Sequence, residues 1–264
     1  MNNKSILPSL TNLLAAAGLV ASVSANAATL EFRGGQNILL DSVDTGEVYN
    51  GVHDAELRSA NSGTNFNTGT GGGNSTTNFE LRIDGNSGGG IAQAVMRFDN
   101  IFGNGPNQIA YGSIINSATL FFDIDNRGDD ILLVDLLDSF GSESTVTWDS
   151  VGGGVRTTGV NANALSTPTA TINGQGNFTT VSVQSSLEAW SLGTRQNHGW
   201  AFLPTGNDGV DIDASELNFP SNAPLLTVDF TTVPPAAVPL PSSVAMLLPA
   251  IGFVFGVRRS QQNA

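Results

Sequence analysis

The 264-residue chain contains no cysteine, and its span 28–237 contains no lysine. Without these residues the span has no thiol nucleophile, no Schiff-base lysine and no phosphate-binding lysine of the P-loop type. The H-E-x-x-H motif of metalloproteases does not occur. Histidine is limited to His53 and His198, which we expect to be structural or surface residues. We therefore predict a protein without catalytic activity.

Positive charge is scarce as well. Seven arginines stand against 23 acidic residues in the same span, which gives a net charge of −16. Such a charge repels nucleic acids and anionic membrane surfaces and attracts cations, so we expect no nucleic-acid partner. An anionic polysaccharide would need calcium as a bridge. The missing disulfides do not prevent folding, because about 200 residues can bury a sufficient core without them.

The first residues have the pattern of a secretory signal peptide. Lys4 precedes an apolar run at 13–23, and Ala25 and Ala27 form an A-x-A cleavage motif. The pattern predicts a signal peptide at 1–27 and export of the remaining chain. An ordinary N-terminal helix is the alternative interpretation.

The last residues combine a proline-rich linker at 232–238 with a short apolar run at 244–257. This run would form a helix of about 21 Å, against a hydrocarbon core of about 30 Å. We expect it to be a short transmembrane helix that holds the C-terminus in the cytoplasm and leaves the main domain outside.

This tail resembles a PEP-CTERM sorting signal. The resemblance rests on the apolar run and on five residues, Pro239, Pro241, Ser242, Arg258 and Arg259, although Leu240 stands where the family usually has Glu. It implies a sorting signal at 239–260, a transient hold in the inner membrane, and cleavage near Pro241 by an exosortase-type enzyme. The implied destination is the cell surface or the extracellular matrix. A permanent membrane anchor is the alternative.

Between the two ends, apolar residues recur with a period of two in short runs separated by Gly, Asn, Thr and Ser. This pattern is typical of antiparallel strands. The clearest strand is 117–125, and we expect 131–137 to pair back with it as a hairpin. We interpret 29–33 and 36–40 as edge strands and 41–78 as a long loop with a short strand near 56–58.

One helix is predicted near the C-terminal end of this body. Ser185 and Glu188 have the spacing of a capping box, and Gly193 ends the run. Leu187 and Trp190 share a face that can pack on a sheet. The predicted fold class is therefore all-β, an antiparallel β-sandwich of the jelly-roll type with one short helix.

An ordered set of short segments resembles the DNRLRE-type domain, which is similar to carbohydrate-binding jelly-roll modules. The segments are VMRFD at 95–99, IINSATL at 114–120, STVTW at 144–148, VSVQSSLEAW at 181–190 and HGW at 198–200, followed by Ser215-Glu216 and residues 224–228. The resemblance implies one such domain at 28–231 and an extracellular polysaccharide as its ligand.

Acidic residues cluster in two places that suit calcium, which prefers several carboxylate and carbonyl oxygens. The first-choice ligands are Asp208, Asp211, Asp213 and Glu216, which we expect to lie in an acidic loop. The second-choice ligands are Asp123, Asp125, Asp129 and Asp130. The second set is not an EF-hand, because Arg127 and Val134 occupy ligand positions of that motif. A solvated acidic rim without a metal is the alternative for each set.

Sugar binding requires an exposed aromatic ring beside polar groups. We expect Trp190 and Trp200 to lie in the core, whereas Trp148, next to a Gly-rich loop, is our candidate ligand contact. The sequence thus predicts a non-catalytic, exported surface or matrix protein that binds polysaccharide with the help of calcium. A polysaccharide lyase or hydrolase that uses carboxylates, and a purely architectural matrix protein, are the alternatives.

Overall fold

A computed structural model describes residues 26–66, 79–87, 89–216 and 221–233. Most of the predicted signal peptide, including Ala25, lies outside these residues, and so does the whole predicted sorting signal. Ala27 is the first residue of the first strand. No helix in the described ranges is long and apolar enough to cross a membrane. The predicted transmembrane segment 244–257 lies outside the described ranges.

Thirteen strands and one α-helix form the described part of the chain. The strands are β1 (Ala27–Arg33), β2 (Gln36–Leu40), β3 (Val43–Tyr49), β4 (Val52–Arg58), β5 (Glu80–Ser87), β6 (Gly90–Phe98), β7 (Ile114–Asn126), β8 (Ile131–Asp135), β9 (Ala170–Ile172), β10 (Phe178–Ser182), β11 (Trp200–Pro204), β12 (Val210–Asp213) and β13 (Leu225–Thr231). The helix α1 spans Gln184–Ser191, and a 3₁₀ turn at Ser59–Asn61 follows β4.

The strands form an antiparallel β-sandwich, as the sequence predicts. Sheet I has the order β3-β2-β1-β13-β7, and β10 also pairs with β7. Sheet II has the order β4-β6-β11-β8-β9. Two further strands join the sheets along one side, because β12 pairs with both β7 and β5, and β5 pairs with β6. Every pairing is antiparallel.

The main core fills the space between the two sheets. In β7 the inward-facing residues are Ala118, Leu120, Phe122 and Ile124, as the alternation predicts. The largest side chains buried in this core are Phe32, Phe98, Phe122, Trp200 and Phe202. Burial of one such side chain contributes roughly 1.5–3 kcal/mol to stability.

Helix α1 closes one end of this core. Leu187 and Trp190 are buried, and the Trp190 ring lies 4.9 Å from the ring of Trp200, between centroids. The predicted capping box does not form, because the helix begins at Gln184, two residues earlier than an N-cap at Ser185 requires. The Gln184 side chain donates to Glu188 Oε1 instead, at 2.8 Å. Gly193 follows the helix end with a φ of 67°, which agrees with its predicted role.

A second core covers the outer face of sheet II. Strand residues Ala55, Leu57, Val95, Val134, Ala201 and Leu203 pack there against Leu136, Phe140, Val146, Val155 and Ala164 from the excursion 136–169. Sheet II is therefore buried on both faces. This explains why its central strand β6 contains the continuous buried apolar run Ala94-Val95-Met96 rather than an alternation.

Three sequence expectations about strand placement are wrong. β1 and β2 are interior strands, because β2 lies between β1 and β3 and β1 lies between β2 and β13. β8 does not pair with β7; it pairs with β11 and β9 in sheet II. The turn between β7 and β8 crosses from one sheet to the other, because both faces of β8 are apolar enough to be buried.

Two segments expected to be irregular contain strands. The predicted loop 41–78 contains β3, and the short strand predicted near 56–58 is the end of the longer strand β4; residues 67–78 lie outside the described ranges. The predicted acidic loop contains β12, in which Val210 and Ile212 are core residues. Its acidic residues conceal this strand in the sequence, because carboxylates are uncommon in buried strands.

Candidate functional site

The outward-facing side of sheet I differs in composition from its inward-facing side. Side chains from five neighbouring strands lie on it, half-buried or exposed: Glu31, Arg33, Asn37, Leu39, Phe121, Phe178, Thr180, Leu225 and Thr227. Their inward-facing neighbours are core residues such as Phe32 and Leu226. We call this surface the open face.

A shallow groove of about 520 Å³ runs across the open face. Its polar lining residues are Glu31, Arg33, Gln36, Asn37, Asp44 and Ser221. The Asn37 side chain donates to Asp44 Oδ2 at 2.9 Å, and the Gly46 amide donates to Oδ1 at 2.7 Å. These two hydrogen bonds lower the pKa of Asp44, so the groove presents a stable carboxylate acceptor.

An aromatic pair lies at the other end of the open face. The rings of Phe121 and Phe178 stack with their centroids 5.8 Å apart and an interplanar angle of 15°. Phe178 is 65% exposed, which is unusual for so apolar a side chain. The guanidinium of Arg33 lies 5.6 Å from the centre of the Phe121 ring and connects the pair with the groove. The sequence favours Trp148 as the aromatic contact, so both phenylalanines were missed.

Trp148, the aromatic residue that the sequence favours, has a different setting. It is half-buried in the excursion 136–169, where it packs against the second core. A Cβ atom at Gly154 would come within 2.6 Å of its ring. The ring therefore belongs to the covered side of sheet II, and its role as a ligand contact stays a prediction.

A second recess, of about 430 Å³, lies beside the end of α1. Its aromatic wall is Tyr111, which is 66% exposed and stacks on Phe102 with centroids 5.6 Å apart. Asn100 and Gln196 supply amide groups. Asn100 adopts a φ of 59°, a conformation that asparagine tolerates better than most residues. With Tyr111, this recess offers a second aromatic ring on which a sugar can stack.

The first-choice calcium ligands do not converge. Asp211 makes an ion pair with Arg82, whose Nε lies 2.9 Å from Oδ1. Asp208 lies on an exposed turn, where its amide donates to Asp129 Oδ2 at 3.0 Å. Glu216 lies beside Asp54 instead.

Asp213, the remaining first-choice ligand, joins two residues of the second-choice set. Ile212 pairs with Ile124 in the sheet, which brings Asp213 beside Asp123 and Asp125. Burial, followed by repulsion from these two carboxylates, raises the pKa of Asp213 to about 7. Asp129 and Asp130 lie on the following turn, where Asp130 Oδ1 accepts from the Gly174 amide at 3.3 Å. Among the described residues, no three His, Cys, Asp or Glu side chains are arranged to hold a metal ion.

Asp54 and Glu216 form a buried carboxyl pair that sequence reasoning missed. Asp54 is fully buried on β4, and its Oδ2 accepts from the Ser215 amide at 2.8 Å. Burial and the nearby Glu216 carboxylate raise the pKa of Asp54 well above its usual range. A signal was present in the sequence, because Asp54 and Glu56 share one side of β4 with Val52, opposite the apolar residues Ala55 and Leu57.

A polar chain surrounds this pair. His53 Nδ1 lies 3.0 Å from Glu143 Oε2, and its Nε2 lies 3.5 Å from Asp99 Oδ2. Arg97 Nε lies 2.6 Å from Asp99 Oδ1. His53 and Arg97 therefore already have carboxylate partners other than Asp54 and Glu216.

A scan against protein-family models and a search of curated proteins found no match to this chain. The likeness to the PEP-CTERM signal and to the DNRLRE-type domain therefore stays a resemblance based on the segments quoted above. The arguments for function rest on the geometry of the open face and on the buried carboxyl pair.

Proposed function

We propose that this protein is an exported, non-catalytic, glycan-binding β-sandwich that takes up a neutral polysaccharide on its open face. One observation carries the proposal: the exposed Phe121–Phe178 stack lies on the same uncovered sheet face as a polar groove. An aromatic ring packs against the apolar face of a sugar, while neighbouring amides and charged groups bond to its hydroxyls. Both requirements are met on one surface.

The dimensions of the open face favour a polymer over a single sugar. Six strands from β3 to β10 lie side by side, and neighbouring strands are about 4.8 Å apart, which gives a surface of roughly 24 Å. A groove of this kind is open at its sides, so a chain can lie across it without a free end.

Charge favours a neutral glycan. Glu31 and Asp44 line the groove together with Arg33, and the domain carries a net charge of −16. An anionic chain would be repelled unless calcium bridged it to the protein, which is the situation in which the predicted calcium would be needed. A neutral chain would bind without calcium.

Export, transient attachment to the inner membrane and release at the cell surface complete the proposal. The signal-peptide pattern at 1–27 and the tail at 239–260 support this route, with an exosortase-type enzyme as the processing partner. Fractionation of cells that express the Arg258→Ala/Arg259→Ala variant tests it. We expect the variant to accumulate unprocessed, and normal release of the variant would contradict the route.

The enzymatic alternative has one observation in its favour. Hydrolysis of glycosides needs a carboxylic acid with a raised pKa beside a second carboxylate, and Asp213 lies next to Asp123 with a pKa of about 7. However, Asp213 is only 6% exposed, and the pKa of the groove residue Asp44 is lowered. We therefore favour glycan binding over glycoside hydrolysis. Release of reducing ends that is abolished by Asp213→Asn would establish the alternative.

Three aromatic substitutions test the proposed surface. Phe178→Ala removes the exposed ring of the open face, Tyr111→Ala removes that of the second recess, and Trp148→Ala removes the ring that the sequence favours. We expect calorimetric titration with neutral glycans, chosen by array, to show a roughly 5- to 30-fold loss of affinity for Phe178→Ala, because stacking on one ring contributes about 1–2 kcal/mol.

The two other variants should bind with affinity within about twofold of the parent. A loss confined to Tyr111→Ala or Trp148→Ala would place the site elsewhere and refute the open-face assignment. Absence of binding to every glycan, with and without calcium, would favour the purely architectural role.

A further inference from the structure

Two buried carboxyl oxygens lie at one place without a hydrogen-bond partner. Within the described residues, three buried side-chain oxygens accept no hydrogen bond: Asp54 Oδ1, Asp135 Oδ2 and Glu216 Oε2. Asp135 Oδ2 has an ion-pair partner, because it lies 2.8 Å from Arg195 Nη1. The other two belong to neighbouring carboxyl groups, and leaving a buried oxygen without a partner is unfavourable, more so when it is charged.

Two ionised carboxylates cannot bond to each other, because both are acceptors. The contact therefore requires a positive species between them, which is either a shared proton or a cation. A proton is consistent with the raised pKa of both groups, for which burial is the largest cause in each case. At neutral pH a cation competes with that proton for the oxygens of the two carboxyl groups.

Among the described residues, the surroundings of the pair add negative charge, and no Arg or His makes an ion pair with Asp54 or Glu216. Glu143 repels both carboxylates and so raises the pKa of each. His53 contacts Glu143 and Asp99, and Arg97 binds Asp99. The charged side chains around the pair thus leave the Asp54 and Glu216 oxygens uncompensated.

We propose that Asp54 and Glu216 hold a calcium ion, which ties strand β4 to the segment that follows β12. The donors are carboxylate oxygens, which suit a hard cation, and calcium accepts irregular coordination that main-chain and water oxygens can complete. Magnesium is less suitable, because it requires near-octahedral geometry and keeps its water shell. This site shares only Glu216 with the sets that the sequence predicts, and it does not depend on the proposed glycan function.

The arrangement is not catalytic, because Asp54 is fully buried and cannot contact a substrate. The consequence is structural. The Ser215 amide already binds Asp54 Oδ2, so an ion on the second oxygen would attach Ser215 and Glu216 to sheet II more firmly. An ion that binds the folded state alone raises stability in proportion to the logarithm of its concentration.

Calorimetric unfolding of the full chain tests the site, after treatment with EDTA and then with added CaCl₂ or MgCl₂. At about ten times Kd we expect calcium to raise Tm by roughly 4 °C, from the linkage relation and the usual sensitivity of Tm for a domain of this size. Magnesium should give a clearly smaller rise. The calcium-induced rise should increase from pH 5 to pH 8, because protons compete for the same oxygens.

Two variants and one matched control complete the experiment. Asp54→Asn and Glu216→Gln should each weaken calcium binding at least tenfold in titration, and Asp208→Asn should leave it unchanged. If Asp54→Asn does not fold, Glu216→Gln alone decides, since its side chain is less buried. The proposal is overturned if calcium does not shift the Tm of the parent chain, if magnesium acts equally, or if neither foldable variant reduces the calcium effect.

Discussion

The outer faces of the two sheets differ in whether other parts of the chain cover them. On sheet II the excursion 136–169 buries the face under a second hydrophobic core, whereas on sheet I the open face keeps a polar groove and an exposed aromatic ring. The sequences of the strands reflect this difference, because β6 contains the continuous apolar run Ala94-Val95-Met96, whereas β7 alternates. In a sandwich of this kind, a ligand surface is to be sought on the sheet whose strands alternate.

The largest loss of stability is expected in the second core, on the covered outer face of sheet II. Phe140→Ala removes a ring that is 6% exposed and that packs below the Arg97 guanidinium, at 4.7 Å from its centre. We expect a loss of about 3–4 kcal/mol in the free energy of unfolding, measured by urea titration. Thr227→Ala on the open face is the control, with a change below about 0.5 kcal/mol. A similarly small loss for Phe140→Ala would mean that the excursion is a mere surface loop.

A smaller effect is expected at the joint between the sheets, where β12 pairs with β5. Asp211→Asn breaks the ion pair with Arg82 and leaves that guanidinium without its carboxylate partner. Because Asp211 is buried and Arg82 is half-buried, we expect a loss of about 2–3 kcal/mol in unfolding free energy. The double variant Arg82→Met/Asp211→Asn should recover part of it. No loss in the single variant would show that the ion pair is not part of the joint.

The pH dependence of stability reports on Asp213, at the edge of the open face. Its pKa is about 3.8 when solvated and about 7 in the folded protein, so the folded state holds the proton more tightly. The stabilisation is complete below about pH 4 and is lost as the pH rises through 7, by at most about 1.4 kcal/mol per pH unit. Unfolding of Asp213→Asn across this range should show a smaller decline, because only the contribution of Asp213 is removed, while Asp54 and Glu216 keep their raised pKa values. The exposed Asp208→Asn is the control and should keep the full decline.

The strands could largely be predicted from period-two patterns, and β2 matches its predicted bounds. Their partners could not, because pairing depends on which faces are buried, and β8 is compatible with either sheet when considered alone. The candidate site was less predictable still. Phe121 and Phe178 are 57 residues apart in sequence and meet only through the pairing of β7 with β10. Likewise, nothing local to Glu216 indicates that Asp54 would be its neighbour.

The smallest effect on stability is expected at Phe178, and this distinguishes a functional ring from a structural one. Because 65% of its surface is exposed, Phe178→Ala should change the unfolding free energy by no more than about 1 kcal/mol, most of it from the lost stack on Phe121. Urea titration of this variant beside Phe140→Ala measures the contrast directly. If the Phe178 ring contributes little to folding but its removal weakens glycan binding, then ligand binding and not packing explains why the ring is exposed. If Phe178→Ala is instead as destabilising as Phe140→Ala, the open face is a structural surface, and its aromatic pair carries no argument for a ligand.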